Sequence, residues 1–101
     1  MLKNGFFETL SICMDLTDPR VDRGKNHCLK EMVMLAICGT ICGADTWADI
    51  ERFCRAHQAW FEQYLQLRNG VPSHDTFGRV FRRLDTAEFY ECVIKWIQEI
   101  D

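Results

Sequence analysis

An all-α fold of about five helices in one compact domain is predicted by three observations. Apolar residues recur three and four apart along most of the chain, the period of one helix face. Turn-forming residues are gathered into a few short clusters between those stretches. No segment shows the sustained apolar–polar alternation of a half-buried strand. The 101 residues are enough for one core. A composition 48% hydrophobic and 27% charged is that of a folded chain rather than a disordered one.

The elements run in order. Asn4 to Leu16 reads as a first helix with Phe6, Leu10 and Cys13 on one face, stopped by Thr17-Asp18-Pro19. Arg20 to Asn26 is polar, basic and broken by Gly24, so it reads as a loop. His27 or Cys28 to Cys42 is apolar on nearly every side and reads as the central buried helix, with Gly43 placed to end it. Asp45 or Thr46 caps the next element. Trp47, Ile50, Cys54, His57, Phe61 and Tyr64 mark its stripe, and neither Gly nor Pro interrupts it before Arg68. One long helix over about 45–68, or two nearly collinear ones, is expected.

Asn69-Gly70-Val71-Pro72 is turn chemistry, and Ser73 is a good N-cap for a helix over 73–84. Phe77, Val80, Phe81 and Leu84 form its buried stripe. His74, Gly78, Arg79 and Arg82 share the opposite face, with Arg83 at its edge. Asp85-Thr86-Ala87-Glu88 resembles a capping box and opens a last helix carrying Phe89, Val93, Trp96, Ile97 and Ile100.

Several function classes drop out on composition. Met1 to Leu16 contains Lys3, Asn4, Glu8 and Asp15, has no uninterrupted apolar core and does not read as a signal peptide. The most apolar run, Met32 to Ala44, is shorter than the ~20 residues a bilayer requires. Six cysteines without a secretory leader are expected to be reduced thiols in the cytoplasm. A net charge of −3 confines any nucleic-acid contact to a local basic patch.

The helix over 73–84 is the strongest candidate for such a patch. With the preceding helix and turn it resembles a helix-turn-helix pair, although the turn is longer than usual. Arginine suits a groove-facing position because its planar fork grips guanine or phosphate. Arg79 and Arg82 are the groove-facing candidates, with Ser73, His74 and Arg83 near phosphates. Arg23 and Lys25 in the basic loop are candidates for assisting backbone contacts.

Other chemistry is weaker. Cys38 and Cys42 sit four apart, and Cys54 and His57 three apart, so each pair shares a helix face as zinc ligands would. Neither has knuckle spacing and all four lie on core-like stripes, so no metal is assigned. Asp45, Asp49 and Glu51 are acids expected at a helix start from its dipole. His27 adjoins Cys28, but neighbouring helix residues do not face each other, and no catalytic residue or cofactor is expected.

Two runs resemble a known family. Leu35 to Phe53, LAICGTICGADTWADIERF, is similar to its segment "icavicGaegWeDIedF", and Asn69 to Phe81, NGVPSHDTFGRVF, to its "NGiPsHDTfgRvf". Asp18-Pro19-Arg20, Arg23-Gly24-Lys25 and Phe89 to Trp96 fit its opening and close. The family is the H-repeat-associated proteins and related insertion-sequence transposases with a DDE catalytic domain. The resemblance implies the N-terminal transposase-associated domain, spanning 1–101, with the metal-binding carboxylates on a larger domain beyond it. Asp101 has no Gly-Lys after it and is not identified with the first of those acids.

On that footing the expected function is a non-catalytic contribution to DNA binding at the element ends. The partners it implies are DNA and the DDE catalytic domain. Two alternatives remain: an inactive remnant, or a protein-interaction module. In the latter, Trp47, Trp60, Phe61 and Tyr64 would pack on the catalytic domain or on a second copy as a homodimer.

Overall fold

The computed structural model describes residues 27–99, which form five helices and no strand. They are α1 (Leu29–Ile41), α2 (Trp47–Ala56), α3 (Gln58–Phe61), α4 (His74–Arg83) and α5 (Thr86–Glu99). The all-α expectation therefore holds. The helix expected over 4–16 and the basic loop after it lie outside the described residues.

α1 is the buried centre. Met32, Val33 and Leu35 are fully enclosed, as all-round apolarity requires. Its end is fixed by Gly43, whose φ of +102° is the left-handed conformation glycine tolerates. Gly43 N–H donates to Thr40 O and Ala44 N–H to Gly39 O, the paired bonds of a Schellman stop. Gly39 lets α2 approach, because a Cβ there would stand 3.2 Å from Ile50 Cγ1.

α2 begins at Thr46, whose hydroxyl accepts from Asp49 N–H, while Asp49 Oδ2 accepts from Asp45 N–H. It packs against α1 on one side and α4 on the other, through Ile50 and Cys54. Cys54 Sγ–H donates to Leu35 O across that seam.

The long helix expected over 45–68 is not formed. α2 and α3 are separated by His57, whose φ of −114° and ψ of 22° leave the helical range. His57 N–H still donates to Phe53 O and Phe61 N–H to His57 O, so the ladder runs past the break. Helix then ends at Phe61. The cause is the segment just beyond it. Leu65 and Leu67 are both buried, and Leu67, with φ of +44°, has left the right-handed helical range. Glu31 on α1 fixes that strap, its carboxylate accepting from Gln66 N–H at 2.8 Å and Leu67 N–H at 3.2 Å.

Candidate nucleic-acid interface

α4 starts as its sequence predicts. Ser73 Oγ accepts from Thr76 N–H at 3.2 Å, and Asp75 occupies the first turn. Its inner face carries Phe77 and Val80 into the core, and Phe77 is completely enclosed. Trp47 of α2 covers this face, its ring parallel to Phe77 at 5.7 Å and tilted on Phe81 at 4.8 Å. Phe81 in turn meets Phe89 of α5 edge-on. α4 is thus held from two sides and presents one face outward.

That outer face brings His74, Asp75, Gly78, Arg79 and Arg82 together around an open groove of about 410 Å³, with Trp47 as its sixth lining residue. Arg79 and Arg82 are exposed and have no carboxylate partner among the described residues. Arg79 makes one long bond to Thr76 Oγ1 at 3.4 Å. Arg82 and Arg83 fall in the last turn, where the negative helix end favours cations. Arg83 is exposed beside them. Arg23 and Lys25 lie outside the described residues.

The start of α4 is occupied by protein rather than open to an anion. Glu51 Oε1 accepts from His74 N–H at 2.6 Å and lies 2.8 Å from His74 Nδ1. Glu51 Oε2 pairs with Arg55 at 2.9 Å, and His74 Nε2 lies 3.5 Å from Asp75 Oδ1. The His74 side-chain bond, then the His74 backbone bond, with Arg55 adding to them, hold the Glu51 carboxyl below its usual range. A carboxylate therefore already fills the place at His74 where a phosphate would sit. Ser73 likewise spends its hydroxyl on Thr76.

Sequence alone misses Glu51, which reads as one of three helix-start acids. Those acids do not act as a set: Asp49 caps α2 and pairs with Arg52, while Glu51 reaches α4. The 23-residue separation leaves no local signal for that contact. Trp47 reads from sequence only as a core or interface aromatic, and nothing in its neighbourhood announces Gly78 as its cover. The zinc candidates differ in burial. Cys38 and Cys54 are buried, and burial pushes each thiol up to about 12, whereas Cys42 and His57 are exposed. No group of three or more His, Cys, Asp or Glu side chains is placed to hold a metal among the described residues.

Comparison with known proteins places this geometry in context. The DDE_Tnp_1-associated family model matches residues 10–97. The chain is 41% identical over 73 residues to the H repeat-associated putative transposase YhhI of Escherichia coli K12, covering 72% of this chain and 19% of that protein. It is 39% identical over 82 residues to the uncharacterized protein in the dhlA 3′ region of Xanthobacter autotrophicus, covering 80% of this chain and 28% of that one. It is also 44% identical over 54 residues to the inactive transposase YbfQ of Escherichia coli K12, covering 54% of this chain and 64% of that protein. The chain thus spans less than a third of the first two relatives. No solved structure matches it.

Proposed function

The chain belongs to the DDE_Tnp_1-associated family, and from that premise we propose that it is the non-catalytic helical accessory domain of an insertion-sequence transposase, touching DNA through the outer face of α4. One observation carries the reading. Among the described residues Arg79 and Arg82 stand exposed and unpaired by acids, on a helix whose other side is locked into the core. Such a rigid, cationic face suits a duplex groove. Arg83 extends it, and Arg23 and Lys25 would add backbone contacts from the basic loop. Ser73 and His74 hold the helix start in this reading and do not bind phosphate themselves. The strand chemistry belongs to a DDE catalytic domain, a partner this domain would help position on the element ends. Among the described residues no helix is long and apolar enough to cross a membrane.

The test is a titration of the chain with the element's terminal-repeat duplex at several salt concentrations. Arg79→Ala and Arg82→Ala are each expected to weaken binding by about tenfold, the loss of one charged contact. Absence of binding at low salt by the folded chain would sink the reading.

A second reading, an interaction module, is favoured by the exposure of Ile41 and of Tyr90 on α5. The aromatic patch expected over 47–64 is mostly internal, since Phe61 is enclosed and Trp47 and Trp60 pack on the core. Sedimentation across a concentration series decides this reading, because self-association that Tyr90→Ala abolishes would support it.

A further inference from the structure

We propose that the space above Gly78 is a seat for one backbone phosphate of duplex DNA, with Trp47 Nε1–H and the Arg82 guanidinium as its donors. The inference rests on the DNA reading of α4 and specifies how that face makes contact. It begins from an unexplained glycine. Gly78 sits in the interior of α4, where glycine destabilises a helix relative to alanine. Its backbone does not need glycine, because the positive-φ glycines are Gly43 and Gly70. Packing does not need it either. A Cβ there would stand 3.5 Å from Trp47 Cδ1, 3.8 Å from Trp47 Nε1 and 4.0 Å from Arg82 Nη2, all ordinary contacts.

What a side chain at position 78 would remove is the space itself. Trp47 Nε1 and Arg82 Nη2 both lie within 4.0 Å of the point a Cβ would occupy, so two donor nitrogens border one small volume. The indole makes no hydrogen bond among the described residues, and its stacking on Phe77 and Phe81 fixes where the N–H points. Arg79 lines the same groove and adds a second positive charge. Asp75, the acid on this rim, lies beside His74 Nε2.

The ligand that fits is an anionic oxygen, held by one neutral and one charged donor. The groove is open rather than enclosed, which admits a phosphate carried on a long strand. A phosphate is also the group most protein–DNA bonds reach, and it carries no sequence.

The test uses the full chain with two short duplexes of unrelated sequence, at low salt, and three variants. Gly78→Ala is expected to raise the melting temperature and yet weaken binding by roughly five- to tenfold on both duplexes, the usual effect of losing one hydrogen bond. Trp47→Phe keeps an aromatic ring against Phe77 and Phe81 while losing the N–H, and is expected to weaken both equally. Arg82→Ala reports on the arginine face independently. If Arg82→Ala weakens binding while Gly78→Ala binds like the wild type, the seat is wrong and the DNA reading stands. A Gly78→Ala loss confined to one duplex also overturns it, since a base edge would then be the ligand. If the folded wild type binds neither duplex, the DNA reading fails and the seat fails with it.

Discussion

Glu51 does at residue scale what a run of sequence cannot show. Its carboxylate closes the start of α4 through His74 and reaches Arg55 on its own helix. Bonds to His74, first from the side chain and then from the backbone, hold its carboxyl below the ordinary value of 4.5. A carboxyl depressed in the folded state contributes stability that is present above its unfolded value and is lost as pH falls through the folded one. Asp49 is depressed in the same direction, by the Asp45 backbone bond first and by Arg52 and Thr46 as well. Acid unfolding should therefore steepen below the ordinary carboxylate range. Glu51→Gln is expected to lower the melting temperature at neutral pH and to flatten that acid limb. Thermal melts of both proteins through the acid range check it, and identical limbs would show that the clasp contributes nothing.

At the scale of elements, the strap over 65–72 decides where α4 begins. Gly70 N–H donates to Leu67 O in a tight turn, with φ of +44° at Leu67 and +75° at Gly70. Leu65, Leu67, Val71 and Pro72 then bury alongside α1 and α4. Glu31 is the polar anchor. Glu31→Ala strips two backbone N–H groups of their acceptor and should cost roughly 2 kcal/mol, about 1 for each bond. Amide exchange at Gln66 and Leu67 should speed up well before exchange in α1; unchanged exchange there would rule Glu31 out as the anchor.

The stops and caps of this fold are legible in the sequence because each depends on a few adjacent residues. Gly43 ends α1, Thr46 and Ser73 cap α2 and α4, and Asp85 Oδ1 accepts from Ala87 and Glu88 N–H at the start of α5. The end of helix at Phe61 is not legible from breakers, since none is there. The segment beyond it is held by Glu31, 35 and 36 residues away, which helical counting cannot see. The arginine face is legible as a face, while Glu51 beneath its start and Trp47 beneath its middle come from 23 and 31 residues away (74 − 51 and 78 − 47). Contacts of that range are set by how α2 packs on α4, which no local pattern states.

The whole molecule sets how strongly a DNA contact of this kind can hold. The chain carries −3, so its field as a whole opposes a polyanion, and attraction must come from local basic patches, the arginine end of α4 first among them. Each phosphate neutralised releases counterions and steepens the fall of log K with log salt by about 0.9. Arg79, Arg82 and Arg83 can neutralise two or three phosphates, which predicts a slope of about −2 to −3 for the chain on duplex DNA. Binding of that size is weak at physiological salt. The chain spans only 28% and 19% of two of its relatives. Measuring affinity over a salt series checks the slope directly. A value near zero would mean that the arginines do not meet phosphates. A slope of about −5 or steeper would require additional cations, and Arg20, Arg23 and Lys25 of the basic loop would then be the residues to neutralise next.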